Sequence, residues 1–343
     1  MRCLVVQTAF LGDVILTTPL VSLLRNVSGI EACCVVTTPV GAEFLRTQGL
    51  STGEIIVYGK HGADRGPAGF LRVAGSARSW RPDCALVPHR SFRSALLAYA
   101  SGAGRRIGFD TSGGRWLLTD TVPYRAAGHE IERTAALAGV VGAAPPGERV
   151  PFRLEVPPEA AEALEEKLLG AGLPEGPTVL VAPGSRWPTK RWPPERFARA
   201  AEQVAGRLGG PIVIAGGSDD RQACLETRKA VESGAFDLCG SLSLSEWIAL
   251  IARGAVLLAN DSAAGHVAAG VGTPVVSVFG PTVPEQGFAP YAEASRVASA
   301  ELDCRPCGRH GGLRCRRGDL ACMKAVTPDD VVAKALDLVG RSA

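Results

Sequence analysis

The 343-residue sequence lacks any run of about 18 apolar residues, which excludes an ordinary membrane-spanning helix. It also lacks a large charge excess. Lys and Arg total 37 against 34 Asp and Glu, a formal net charge of +3, so a nucleic-acid protein working by bulk charge is not expected. Disorder is excluded by composition, with 46% hydrophobic and 21% charged residues. The opening MRCLVVQTAFLGDVILTTP does not have the form of a secretory signal; it reads as a first strand followed by a loop broken at Gly12-Asp13. Two nucleotide fingerprints are missing as well. After the first strand there is no G-x-G-x-x-G, and the nearest approach, Gly102-x-Gly104-x-x-x-Gly108, is one residue too long and follows a helix. No G-x-x-x-x-G-K-[ST] occurs, so a dinucleotide oxidoreductase and a P-loop NTPase are both disfavoured.

What is present is alternation. Short apolar runs at Cys3–Gln7, Ala32–Val36, Glu54–Tyr58, Cys84–Pro88 and Arg106–Phe109 are separated by helical stretches. The pattern resumes with strands at Val179–Ala182, Ile212–Ala215, Ala255–Ala259 and Val275–Phe279, the last read as the final buried strand. Such alternation implies parallel sheets wrapped by helices. The length suits two domains. The Pro-rich stretch Ala143–Pro158 is read as the linker, dividing the chain into 1–150 and 151–343, with the last helix free to return to the first domain. The first helix has two candidate starts: Asp13 as N-cap, or Thr18 as N-cap with Pro19 at the first helical position. Two parallel-sheet domains facing across a cleft are the expected architecture, with ligands outside the carboxyl ends of the strands.

Three segments carry candidate chemistry. In VLLANDSAAGHVAAGVGTPVVSVFGPT (Val256–Thr282), an apolar strand ends at Asn260-Asp261-Ser262 and small residues open the next helix. Free N–H groups there suit a diphosphate, Ala263 and Ala264 keep side chains out of its way, and His266 shares a helix face with Ser262. The plainer alternative makes Asp261 or Ser262 an N-cap and His266 a packed core residue. In APGSRWPTKRWPPERF (Ala182–Phe197), the loop from Gly184 and Ser185 to Lys190 leaves a strand, with Lys190 a compact cation suited to phosphate. Its alternative is a solvated basic loop anchored by Trp187 and Trp192. In the other domain, Gly12-Asp13 places a carboxylate at the carboxyl end of the first strand, as a general base or merely an N-cap.

The ten cysteines divide in two. Cys3, Cys33, Cys34 and Cys84 lie in strand-like stretches, where free Cys behaves as a small buried hydrophobe, and a disulfide scaffold is not expected. Cys304, Cys307, Cys315 and Cys322 cluster near the C-terminus as C-x2-C-x7-C-x6-C, with His310 between them. Four such ligands are enough for tetrahedral zinc, so a zinc-binding interaction protein is a competing reading, although a structural role without metal is the preferred one.

Taken together, LGDVILTTPL (Leu11–Leu20), WPTKRWPPERFA (Trp187–Ala198) and NDS…H…GTPVVSVFGPT (Asn260–Thr282) resemble glycosyltransferase family 9, the bacterial heptosyltransferases of lipopolysaccharide core synthesis. HRSFRSALLAYASGAGRRIGF (His89–Phe109) and the Cys-bearing tail look most like its heptosyltransferase II branch. The resemblance implies a GT-B fold and an inverting, metal-independent transfer with no cofactor. The implied donor is ADP-L-glycero-D-manno-heptose, held by the C-terminal domain. The implied acceptor is the inner-core heptose on Kdo–lipid A, held by the N-terminal domain of an enzyme peripheral to the inner face of the cytoplasmic membrane. By position, Asp13 matches the family's base, Lys190 its phosphate-binding lysine, and Asp261, Ser262 and His266 its donor motif; Ala263 departs from the usual Gly. For the anionic acceptor the expected contacts are Gly12, His89, Arg90, Arg93 and Arg106, with Arg105 beside them, against the alternative of a solvated basic face. A related GT-B transferase or epimerase with another nucleotide sugar is the remaining alternative, since base and sugar selectivity rest on loops such as Gly216–Asp220 and Cys239–Ser243.

Overall fold

The computed structural model describes residues 1–144, 147 and 149–340. The chain divides into two compact units, Met1–Phe152 and Arg153–Ala343. The linker expected over Ala143–Pro158 falls partly on residues 145, 146 and 148, outside the described residues. From 150 to 157 the chain has neither helix nor strand, and the Leu154 N–H donates to the Gly270 carbonyl at 2.9 Å.

The first unit runs β1 (Arg2–Gln7), α1 (Leu11–Arg25), β2 (Ala32–Thr37), α2 (Pro39–Thr47), β3 (Ile55–Val57), α3 (Gly66–Ser79), β4 (Cys84–Val87), α4 (Phe92–Ala100), β5 (Arg105–Phe109), β6 (Asp120–Val122) and α5 (Glu130–Gly139). Its six strands are all parallel, in the order β3-β2-β1-β4-β5-β6. Helices cover both faces, so the central strands read as continuous apolar runs rather than alternating ones. Cys3 pairs in register with Cys33 on one side and Cys84 on the other, and all three are free and buried, as small hydrophobes should be.

Neither expected start of α1 is the observed one. The helix begins at Leu11 after Phe10, no side chain caps it, and Asp13 lies in its first turn. Pro19 is therefore inside the helix, where it cannot donate to the Ile15 carbonyl. The Thr18 hydroxyl donates to that carbonyl instead, at 2.8 Å.

The second unit runs α6 (Pro158–Gly170), β7 (Val179–Ala182), α7 (Pro194–Leu208), β8 (Ile212–Ile214), α8 (Arg221–Ala230), β9 (Phe236–Asp237), α9 (Leu244–Arg253), β10 (Val256–Asn260), α10 (Ala263–Val271), β11 (Val275–Phe279), β12 (Ser295–Ser299), α11 (Ala321–Ala325) and α12 (Pro328–Gly340). Its parallel order, β12-β11-β10-β7-β8-β9, repeats that of the first unit when read from its own first strand. Two such Rossmann-type sheets in one chain are the GT-B class. The strand at Val275–Phe279 is not the last. SRVAS at Ser295–Ser299 closes the sheet as a half-buried edge strand, too polar to read as a core strand. The last helix does not return to the first unit: α12 packs on α7 and on β10–β12, with Val331, Ala335 and Leu338 in that unit's core.

Two glycines on α3 make this packing testable. A methyl at Gly69 would overlap the backbone of Asp64, whereas one at Gly75 meets nothing within 4 Å. Gly69→Ala should destabilise the first unit by about 1–3 kcal/mol. Gly75→Ala, which only improves helix propensity, should stabilise it by roughly 0.5–1 kcal/mol. Thermal denaturation of the two variants reads the opposite signs.

Candidate active site

In an open parallel sheet, ligands bind at the carboxyl ends of strands where the order reverses. In the second unit that point lies between β7 and β10, which pair from Val256↔Val179 to Ala259↔Ala182. The loop after β7 carries Lys190 and the loop after β10 carries Asp261. Lys190 Nζ stands 2.5 Å from Asp261 Oδ2, with both side chains largely buried, and the Thr282 hydroxyl donates to the same oxygen at 2.5 Å. Asn260, fully buried, fastens the two loops together. Its Oδ1 accepts from the Trp192 N–H at 2.9 Å and its Nδ2 donates to the Pro183 carbonyl at 2.7 Å. Trp192 is buried as an anchor, donating from Nε1 to the Val326 carbonyl, while Trp187 is only half-buried.

Of the expected donor residues, Gly184, Ser185, Lys190, Asp261, Ser262, Ala263, Ala264 and His266 all sit at these carboxyl ends or in the first turns of α10. Ser262 is the N-cap residue of α10, as the plainer alternative had it, although its side chain makes no capping hydrogen bond. Asp261 turns its carboxylate to Lys190 and Thr282 and acts as the partner that orients the lysine. His266 is buried.

In the first unit the reversal lies between β1 and β4. Thr8 and Asp13 follow β1, and His89 and Ser94 follow β4. His89 Nδ1 is 2.9 Å from Ser94 Oγ and 3.3 Å from Thr8 Oγ1, which are themselves 3.3 Å apart. Asp13 is half-exposed in the first turn of α1, where the helix dipole favours a carboxylate, and its carbonyl accepts from Thr17 Oγ1 at 2.7 Å. Gly12 precedes it on the same turn. Arg93 is exposed at the start of α4. Arg90 lies flat on the Tyr124 ring, 3.6 Å from its centroid.

Arg106 is a correction. It occupies the amino end of β5, the wrong end of a parallel strand for this site. Its guanidinium is tied to the carbonyls of Leu117 and Ala103, each at 2.7 Å, and Arg105 beside it is paired with Asp120. Arg106 opens the run read as a strand at Arg106–Phe109, and in a parallel sheet that amino end lies away from the ligand edge, so nearness to a strand end does not by itself bring an arginine to the site.

The fold gives three further residues a place in the site. Lys60, after β3, donates to the Thr8 carbonyl at 2.6 Å. Burial, reinforced by nearby Arg93, holds its ammonium below the ordinary lysine range, while the Asp13 carboxylate acts in the opposite direction. It lies between Gly59 and His61 in a stretch with no spacing motif, and only the fold brings it to Asp13. Thr282 closes the GTPVVSVFGPT segment and takes its role only through Asp261. Asp220, in the Gly216–Asp220 loop, sits directly against Gly184 and Gly216, where any side chain at 184 would overlap its carboxyl. Burial raises its pKa, offset in part by the Gly217 N–H and by Arg191.

Comparison with known proteins identifies the family and the fold. The family model Glycosyltransferase family 9 (heptosyltransferase) matches residues 71–313. Lipopolysaccharide heptosyltransferase 2 of Salmonella typhimurium is 30% identical over 224 residues, 62% of this chain and 64% of that protein, so the match spans less than two thirds of that relative's length. Lipopolysaccharide heptosyltransferase 1 of Pseudomonas aeruginosa is 26% identical over 336 residues, 90% of this chain and 86% of that one. Among solved structures, a glycosyl transferase family 9 protein from Veillonella parvula superposes with a TM-score of 0.84 at 23% identity, covering 99% of this chain and 97% of the other. The E. coli ADP-heptose LPS heptosyltransferase II gives 0.78 at 24% identity, covering 100% and 99%. At these identities the likeness shows the fold.

Asn260 is the joint whose loss the geometry makes measurable. Asn260→Ala leaves the Trp192 N–H and the Pro183 carbonyl buried without their partner, at about 1–3 kcal/mol for each unsatisfied group. The second unit should melt at clearly lower temperature in calorimetry, whereas Asn26→Ala on the exposed end of α1 should shift little.

Proposed function

The chain belongs to glycosyltransferase family 9, and we propose that it transfers heptose from ADP-L-glycero-D-manno-heptose to the inner-core heptose of Kdo–lipid A in lipopolysaccharide core biosynthesis. The observation that carries this reading is the placement of a carboxylate at the switch point of one sheet and a lysine with open helix N–H groups at that of the other. Its lipopolysaccharide heptosyltransferase relatives supply the substrate class.

In the proposed reaction Asp13 takes the proton from the acceptor hydroxyl as its oxygen attacks the anomeric carbon from the face opposite the diphosphate. The configuration inverts. The departing diphosphate gains negative charge, which Lys190 and the N–H groups at the start of α10 stabilise from fixed positions. Lys190 arrives preoriented because Asp261 holds it, and Asp261 is itself held by Thr282. Charge at the reacting atoms is thereby met without a metal. Gly184, packed against the Asp220 carboxyl, is assigned to the donor side by this reading. Lys60, His89, Arg90 and Arg93 supply the cationic surroundings for Kdo carboxylates and lipid phosphates, in an enzyme peripheral to the cytoplasmic face of the inner membrane. No helix among the described residues is long and apolar enough to cross a membrane. Acceptor choice of the heptosyltransferase II type is part of the same proposal.

General-base action is typically worth roughly 10²–10⁴-fold. Asp13→Ala should lose turnover on that scale and retain ADP binding, whereas Lys190→Ala should weaken ADP binding as well. Near wild-type turnover in Asp13→Ala would remove the base assignment. In a thermal-shift series ADP and ADP-heptose should stabilise the protein and UDP and GDP should not; stabilisation by UDP alone would favour a different nucleotide-sugar enzyme of the same fold.

A further inference from the structure

Of the four exposed aromatic side chains among the described residues, three fall within one short stretch of the first unit: Phe92, Tyr99 and Trp116. Phe92 and Trp116 pack on each other, ring centroids 5.8 Å apart, yet stay 48% and 74% exposed. Phe92 and Tyr99 lie seven residues apart on α4 and share its outer face, with half-buried Leu96 between them. The stacked pair is firmly held. The loop after β5 folds onto the start of α4, where the Gly113 N–H donates to the Arg90 carbonyl at 3.0 Å. Gly114 is buried so close to Ala95 that a side chain at 114 would overlap its methyl group. Tryptophan is on average well buried, so one fixed in place and turned outward marks a surface that meets something.

The charge around these rings has one sign. Residues 88–118 hold Arg90, Arg93, Arg105, Arg106 and Arg115 against a single carboxylate, Asp110, in a chain whose whole excess is +3. Asp120, just beyond, pairs with Arg105. Arg93 and Arg115 are exposed and have no carboxylate partner among the described residues. Each adjoins one ring of the stacked pair, as Phe92-Arg93 and Arg115-Trp116. Exposed rings interleaved with unpaired arginines match an anionic bilayer surface, which takes the rings at headgroup level and the cations at its phosphates. The patch also adjoins the edge described above: Phe92 stands two residues before Ser94, whose Oγ is 2.9 Å from His89 Nδ1.

We propose that Phe92, Arg93, Arg115 and Trp116 form the face by which the first unit docks on an anionic phospholipid membrane. The purpose of this docking rests on the proposed reaction. A lipid-linked acceptor stays in its bilayer, and a docked first unit brings the His89–Ser94 edge to the sugars above it. The attachment is reversible and partly electrostatic, so added salt weakens it.

The test is sedimentation of the full chain with vesicles of phosphatidylethanolamine and phosphatidylglycerol, against vesicles of phosphatidylcholine alone. The wild type should bind the anionic vesicles, and less so as salt is raised. Trp116→Ser should weaken that binding by about tenfold or more and Arg115→Gln by about fivefold, with melting temperatures unchanged. Brominated phospholipid in the anionic vesicles should quench part of the tryptophan fluorescence of the wild type and none of that part in Trp116→Phe. Transfer to a vesicle-embedded acceptor should fall with vesicle binding in Trp116→Ser, while transfer to a delipidated, water-soluble acceptor should hold. Equal vesicle binding by wild type and Trp116→Ser would overturn the proposal, as would a wild type that ignores anionic vesicles at low salt. An equal loss on both acceptors would make Trp116 a sugar contact instead, and a dimer that Trp116→Ser splits would give the face to a second copy; either overturns it. Vesicle binding needs no sugar donor, so binding without heptose transfer would fault the proposed reaction and leave the docking face standing.

Discussion

The ion pair between Lys190 and Asp261 is the constraint around which the second unit's active edge is built. Both side chains are withdrawn from water, so each depends on the other, and removing one partner of such a pair typically costs roughly 3–5 kcal/mol. The pair crosses from the loop after β7 to the loop after β10, the two strands flanking the topological switch. Everything near it serves to hold that crossing. Thr282 completes the carboxylate, Asn260 joins the loops through the backbone, and Trp192 fills the core beneath. Lys190 is thereby a cation fixed in place, with little side-chain freedom left to lose on meeting an anion.

The two units use one strand order for different ends. In the second, the reversal presents a lysine and the amino end of a helix built from Ala263, Ala264 and Gly265, a surface suited to anions. In the first, it presents a carboxylate together with the Thr8–His89–Ser94 group, a surface suited to moving a proton off a hydroxyl. Lys60 modifies that second surface. Burial and Arg93 hold the Lys60 ammonium below the ordinary lysine range, against the pull of the Asp13 carboxylate.

The central strands, most of the helices and the two candidate loops were legible because each has a local cause: a buried apolar run, a capping box at Ser243–Glu246, or a loop leaving a strand's carboxyl end. The edge strands Asp120–Val122, Phe236–Asp237 and Ser295–Ser299 were not, because none is fully buried and no hydrophobic pattern is imposed on them; the more apolar edge strand Ile55–Val57 was. Asp13, Lys190 and Asp261 could be singled out from their motifs. Lys60 and Asp220 could not, since each acquires its neighbour only through the fold. Arg106 opens its strand, and an arginine near a strand reaches the ligand edge only when it follows the carboxyl end.

Pro19 places a discontinuity in the backbone ladder of α1 just after the turn that bears Asp13. The Ile15 carbonyl is held there by a side-chain hydroxyl in place of a backbone N–H. The proposed base therefore rides on a short segment joined to the rest of its helix by a softer link than an unbroken α-helix provides. A change at position 18 would be felt at the carboxylate as a change in aim, with the chemistry of the carboxylate itself untouched.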